Sequence, residues 1–158
     1  MWPCINIFPK SRSDWVLDSG ASKHVASSSK EFVSYTQYPP TCNETIQTVD
    51  GTSQRIKGVG IVQCTPNIKL SSVLHVPAFP LNLVSFSALI DDIDCRVMLD
   101  RKMCLIQERL TGKRLGIGTW RNGLWYMDRE VASDAVCTIL AATVGEKEAM
   151  VIIQHCRM

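Results

Sequence analysis

One short segment of this chain has the residue types that hydrolytic chemistry requires. An apolar stretch at residues 15–17 leads into Asp18, and Ser19 and Gly20 follow directly. A strand that ends at a carboxylate holds it rigidly, and the glycine permits a tight turn with its N–H aimed back at the acid. Asp, Ser and Gly are also common turn residues. The tripeptide alone therefore describes either a carboxylate site or an ordinary β-turn.

Two later segments have the form of elements that would complete a cleft around this carboxylate. Residues 46–56 contain two strand-like arms on either side of Asp50 and Gly51. Such a hairpin is typical of a flap that closes over a substrate. Residues 81–89 form an apolar strand that runs into a short helix. The order and spacing of these pieces favour the carboxylate site over the isolated turn.

The chain resembles the retropepsin-type aspartic protease segment of copia-type retrotransposon polyproteins, over residues 15–128. Five motifs carry the resemblance: Asp-Ser-Gly-Ala-Ser-x-His at 18–24, Lys-Gly-Val-Gly at 57–60, Val-Leu-His-Val-Pro at 73–77, Asn-Leu-Val-Ser-x-Ser at 82–87, and Gly-Leu-Trp-Tyr-Met at 123–127. The resemblance implies an aspartic endopeptidase that cuts a polypeptide substrate, the polyprotein, and uses no cofactor.

Residue by residue, the resemblance makes Asp18 the catalytic carboxylate, Ser19 and Gly20 the support of its loop, and Asp50 and Gly51 the flap. This class of enzyme uses two carboxylates that share one proton. The sequence contains no second Asp-Ser/Thr-Gly, so we expect the second carboxylate from another copy of the chain, in a homodimer. The alternative is a catalytically inactive β-barrel remnant with a structural or interaction role, since the fold does not require the carboxylate.

Short strands separated by turn residues predict an all-β fold. With the resemblance, this becomes a retropepsin-like closed barrel with one short helix at 84–92 and a C-terminal β-hairpin extension. The predicted organisation is a flexible lead-in at 1–13, the barrel at 14–92, the hairpin extension at 93–130, and a tail at 131–158 that resembles the truncated start of a pre-integrase zinc segment. The candidate strands are 14–17, 45–49, 54–64, 68–76, 96–99, 104–108, 114–117 and 124–127.

Composition limits the partners and the compartment. Seventeen Lys and Arg against fifteen Asp and Glu leave a net charge of +2, which does not favour a nucleic-acid partner. Eight basic and three acidic residues between 96 and 129 form a patch that would suit nucleic-acid binding, with Trp120, Trp125 and Tyr126 as stacking residues. The favoured interpretation is that the charges protect strand edges and that the aromatic residues pack across a hairpin. No apolar run approaches the roughly 20 residues of a membrane span.

The cysteines and histidines indicate neither disulfides nor a metal site. Seven irregularly spaced cysteines favour a reducing, cytoplasmic location and a role as small buried hydrophobes. His24 and His75 are predicted to be structural, with His24 bonded to nearby backbone and His75 satisfied at a strand edge. His155 and Cys156 in the tail supply two donors where a structural zinc needs four, so no metal is expected.

Overall fold

Strands joined by tight turns make up most of the described part of the chain. The computed structural model describes residues 14–48, 50–129 and 151–152, the last two by their backbone only. The predicted lead-in at 1–13 and the zinc-like donors His155 and Cys156 lie outside the described residues. Within the described ranges, no helix is long and apolar enough to cross a membrane.

The elements follow one another in this order: β1 Trp15–Asp18, β2 Val25–Ala26, a 3₁₀ turn Ser29–Glu31, β3 Phe32–Gln37, β4 Thr45–Gln47, β5 Ser53–Arg55, β6 Gly58–Thr65, β7 Ile68–His75, β8 Asn82–Ser85, α1 Phe86–Asp92, β9 Cys95–Leu99, β10 Met103–Glu108, β11 Arg114–Arg121, β12 Leu124–Asp128 and β13 Val151–Ile152.

The large sheet places β1 between two strands from distant parts of the chain. Its order is β13-β9-β10-β11-β12-β1-β8-β2-β7-β6-β3, while β4 and β5 pair with each other in a separate sheet of two strands. β1 runs parallel to β8 and antiparallel to β12. The described residues show no pairing that joins the two outer strands, β13 and β3.

The core explains why these segments become strands. In β7, Ile68, Leu70 and Val73 are buried and 0–1% exposed, with the alternation shifted by one residue after Leu70, where the register with β6 also shifts. Trp15 of β1 is completely buried in the same cluster. A smaller cluster of Val25, Ile56 and Val76 lies apart from it.

The buried cysteines behave as the composition predicts. Cys64, Cys95 and Cys104 are free and buried. Burial raises the pKa of the Cys64 and Cys104 thiols to about 12 and that of Cys95 to about 11. A thiol that stays protonated is a poor nucleophile and a poor metal ligand, so these three side chains contribute packing.

The all-β class and the short helix are confirmed, but some element boundaries are wrong. The predicted strand 54–64 is two strands, because the chain leaves one sheet for the other at Ile56 and Lys57, whose N–H groups donate to Glu44 and His75 carbonyls. The helix begins at Phe86 because the side chain of Ser85 accepts the Ala88 N–H and caps it. β2 and β3 were not predicted, and the segment 93–130 contains four consecutive antiparallel strands, β9 to β12, of which β12 pairs with β1.

Candidate functional site

Asp18 is the last residue of β1, and the loop that follows turns back onto its carboxylate. The Gly20 N–H donates to Asp18 Oδ1 at 2.8 Å. A Cβ on Gly20 would lie 3.3 Å from that same oxygen, which is closer than most side chains approach. Asp18 is half-buried, and Ser19 and Gly20 are exposed. The loop thus holds one carboxylate oxygen in place and leaves the acid accessible.

The parallel strand β8 supports the loop from the side. Asp18 is paired in register with Ser85, the last residue of β8. The hydroxyl of Ser85 donates to the carbonyl of Ala21 at 2.6 Å, and the Ser87 hydroxyl approaches the same carbonyl at 3.4 Å. Because Ser85 also caps α1, one residue joins the carboxylate loop to the start of the helix.

His24 lies behind the loop and is 1% exposed. Its Nδ1 accepts the backbone N–H of Ser85 at 3.0 Å. Burial lowers the pKa of His24 to about 4; the nearby carboxylate of Asp92 opposes this shift, and Lys23 adds to it. His24 is therefore bonded to backbone, as predicted, although its partner is 61 residues away in the sequence.

A two-stranded hairpin, β4–β5, carries the predicted flap residues. Asp50 accepts hydrogen bonds from the Thr48 hydroxyl and, at 3.0 Å, from the Thr52 N–H. These bonds, that of Thr48 first, lower the pKa of the Asp50 carboxyl. Gly51 has a φ of +82°, a backbone conformation that glycine adopts without strain. The tip is thus a hydrogen-bonded turn at the predicted position.

The base of the hairpin is tied to the chain that precedes it. Arg55 Nη2 donates to the carbonyl of Pro40 at 2.5 Å and to that of Cys42 at 3.0 Å. Ile46 packs against the smaller apolar cluster that contains Val25. These contacts place the hairpin on the same side of the molecule as the Asp18 loop.

A cleft of about 540 Å³ separates the loop from the hairpin. Asp18 and Gly20 line one side of it, and Asp50 lines the other. Apolar side chains, among them Phe79 and Leu83, contribute to the remaining wall. The structure therefore brings three of the five predicted site residues, Asp18, Gly20 and Asp50, to one cleft.

Ser19 faces a second cavity of about 400 Å³ that also includes Asp18. Its other walls include Leu99, Trp120 and Trp125. The two tryptophan rings pack edge to face with centroids 5.0 Å apart, as the predicted cross-strand pair. Sequence reasoning missed that this pair lies beside Asp18, because no local pattern indicates that β12 pairs with β1.

The remaining candidate donors are engaged in structural contacts or lie far apart. His75 Nδ1 is 2.8 Å from the Tyr35 hydroxyl, and burial lowers the pKa of this histidine. In the part of the chain that the structure describes, no three His, Cys, Asp or Glu side chains are grouped so that they could hold a metal ion.

Comparison with known proteins identifies the region that contains the cleft. Residues 15–93, half of the 158-residue chain, match the family model described as "Pol polyprotein, beta-barrel domain". This match spans β1 to α1 and so includes the Asp18 loop and the β4–β5 hairpin. No curated protein and no solved structure matches the chain.

Proposed function

This chain belongs to the Pol polyprotein β-barrel domain family, and we propose that it is the aspartic endopeptidase of a copia-type retrotransposon polyprotein. The observation that carries the proposal is the position of Asp18. Its carboxylate ends a buried strand, accepts the Gly20 N–H and opens into a cleft whose opposite side is a hairpin. A carboxylate held in position, an open cleft and a hairpin that can close over it are among the elements that peptide hydrolysis requires.

The chemistry needs a second carboxylate beside that of Asp18, whereas the other acid of the cleft, Asp50, lies on the opposite side, on the hairpin. Two carboxyl groups about 3 Å apart cannot both ionise, so they share one proton. The ionised group takes a proton from a water molecule, which attacks the peptide carbonyl, and the protonated group donates to the substrate. The water oxygen bonds to the carbonyl carbon to give a tetrahedral intermediate. The C–N bond then breaks as the leaving nitrogen takes up the proton that water gave to the first carboxylate, and no covalent enzyme intermediate forms.

The second carboxylate in this proposal is Asp18 of another copy of the chain. A two-fold axis that passes between two Asp18 loops would place the acids side by side and make every contact occur twice. Ser19, which is exposed at the edge of the second cavity, would brace the paired loops. The apolar wall of that cavity, which includes Leu99 and Trp120, supplies surface that a second copy could cover.

The hairpin that carries Asp50 and Gly51 would close over the peptide. Its tip turn is held by side-chain and backbone hydrogen bonds of Thr48 and Thr52, so it can move as a unit about its base. Closure would exclude bulk water and strengthen the electrostatic interactions at the carboxylates.

The decisive experiment is cleavage of a polyprotein fragment by the purified chain, with and without an aspartic-protease transition-state mimic. Asp18→Asn removes the charge at nearly constant volume, and we expect it to abolish cleavage while the circular dichroism spectrum stays β-rich. Activity should also be lost at alkaline pH, where the shared proton is gone.

The matched control is Asp94→Asn. Asp94 is an exposed acid that forms an ion pair with Arg109 at 3.6 Å, and an exposed pair of this kind contributes little to stability. This variant should cut at the wild-type rate. Cleavage by Asp18→Asn, or wild-type cleavage that the mimic does not inhibit, would assign any activity to another site and contradict the proposal.

A further inference from the structure

A buried imidazole and two hydroxyl groups connect the Asp18 loop with β8 and α1. The imidazole of His24 bonds to the backbone of Ser85, and the side chain of Ser85 bonds to the carbonyl of Ala21. Ser85 is in turn the register partner of Asp18. His24 and Asp18 are thus linked through one intermediate residue, along a path of hydrogen bonds and strand pairing.

The hydrogen bond to Ser85 fixes the protonation state of His24. A backbone N–H only donates, so Nδ1 must be the unprotonated nitrogen and Nε2 carries the proton. Nε2 is buried and has no hydrogen-bond partner among the described residues. The nearest acid oxygen, Asp92 Oδ2, is 3.9 Å away and accepts the Ser71 hydroxyl at 2.7 Å.

A donor left without a partner in the interior is unfavourable. An apolar side chain of similar size would fill the same space without that penalty. The one interaction for which this position needs an imidazole is therefore the acceptor that Nδ1 offers to Ser85. The hydroxyl of Ser85 does not take over this role, because it already donates to the Ala21 carbonyl and accepts the Ala88 N–H.

We propose that neutral His24 is a positioning residue for the Asp18 carboxylate. It holds the end of β8 through the Ser85 N–H, and Ser85 holds the returning limb of the loop through Ala21. This inference rests on the proposed function and adds to it a residue that touches neither substrate nor the reacting atoms. Protonation of His24 would place two N–H groups face to face and release Ser85.

The charges around the imidazole influence the pH at which His24 is protonated and Ser85 is released. Asp92 on α1 favours the protonated ring, and Lys23 beside it in the chain disfavours it. β8 carries no ionisable side chain. β7, whose Leu74 N–H donates to the His24 carbonyl, carries Lys69 and His75, and the latter is bonded to Tyr35. With the pKa of His24 at about 4, the neutral ring is the working form at pH 5.

Two substitutions separate the acceptor from the rest of the ring. In His24→Asn, Oδ1 stands close to the position of Nδ1 and can accept the Ser85 N–H. In His24→Gln, the side chain reaches toward the position of Nε2 and leaves the Ser85 N–H without its acceptor. At pH 5 we expect kcat of the Asn variant to stay within about threefold of the wild type. The Gln variant should lose roughly 100-fold in kcat at similar KM, as expected when a reacting group is misplaced by about 1 Å.

A second measurement does not depend on activity. Hydrogen exchange of the Ser85 amide should be slow in the wild type and in His24→Asn, and fast in His24→Gln. In the wild type, the Ser85 amide resonance should shift as the pH falls through about 4, and it should shift clearly less in the Asn variant, where only carboxylates titrate in this range. This titration needs only those two proteins, so the inference remains testable if the Gln variant does not fold.

The outcomes distinguish the inference from the proposed function. A wild-type chain that cleaves no peptide refutes the proposed function, and a Ser85 amide that still follows the acceptor at position 24 supports the path from His24 to the loop. Equal kcat values for the Gln and Asn variants, or a Ser85 amide unaffected by the titration of His24, would overturn the inference and leave His24 as a packing residue.

Discussion

The buried imidazole of His24 should make the stability of this protein decrease between neutral and mildly acidic pH. The ring is 1% exposed, and burial lowers its pKa from 6.5 to about 4. In the unfolded chain the pKa returns to about 6.5. Between these two values the unfolded state binds a proton that the folded state excludes, so the free energy of unfolding falls as the pH falls.

The size of the effect follows from the two pKa values. Each pH unit of difference is worth about 1.36 kcal/mol, so a pKa that is lowered from 6.5 to about 4 corresponds to about 3 kcal/mol when the loss is complete. Well above pH 6.5 both states are neutral and nothing is lost. Integration of the linkage relation gives a loss of about 2 kcal/mol between pH 7 and pH 5.

Urea unfolding at one fixed chain concentration measures this loss. The free energy of unfolding of the wild type and of His24→Asn is determined at pH 7 and pH 5, and the difference between the two proteins is compared. Carboxylates titrate in both proteins and largely cancel. The wild type should lose about 2 kcal/mol more than the variant over this interval. His75→Asn is the control, because His75 is less buried and its removal should change the pH dependence less.

A difference between wild type and His24→Asn that does not change with pH would refute this reasoning. So would a wild type that gains stability relative to the variant as the pH falls, since that would mean that the folded state favours the protonated ring. Either result would show that Asp92 or entering water compensates the burial of the imidazole.

Three further predictions concern packing, assembly and metal. Gly60→Ala should lower the free energy of unfolding in urea by about 1–3 kcal/mol, because a Cβ there would lie 2.1 Å from the Ser34 carbonyl oxygen. A Cβ on Gly51 would meet nothing within 4 Å, so Gly51→Ala should cost only about 1 kcal/mol of backbone strain. Equal losses for the two variants would contradict this. If two copies form the active species, activity per chain should fall on dilution, and excess Asp18→Asn chains should suppress wild-type cleavage; a rate per chain that does not depend on concentration would exclude the dimer. Incubation with a chelator should leave cleavage unchanged, since the proposed chemistry uses carboxylates alone; inhibition that added zinc reverses would contradict it.

The sequence by itself determined the features that depend on neighbouring residues. The Gly20 N–H reaches the Asp18 carboxylate within a single turn. The β4–β5 hairpin turns at Asp50 and Gly51 because the turn chemistry is local. A short helix was predicted at 84–92 from its apolar spacing, and the structure places it at Phe86–Asp92. In each of these features, the residues that determine the structure are within a few positions of one another.

Only the tertiary structure decided what surrounds Asp18. β1 contacts β8 and β12, which are more than 60 and more than 100 residues later, and the alternation of apolar residues in a strand does not identify its partners. The same holds for Trp120, which is placed beside the loop by the pairing of β12 with β1. Strand β3 was missed because its sequence lacks the apolar alternation that predicts a strand. In the structure, none of its residues is fully buried.

His24 combines the two kinds of information. From the sequence, a lone histidine after the loop predicted a structural side chain bonded to backbone. The choice of Ser85 as its partner, the burial that lowers its pKa, and the position of Asp92 3.9 Å from Nε2 all depend on packing between segments about 60 residues apart. A pKa is determined by desolvation and by charges in space, and these are known only when the chain has folded.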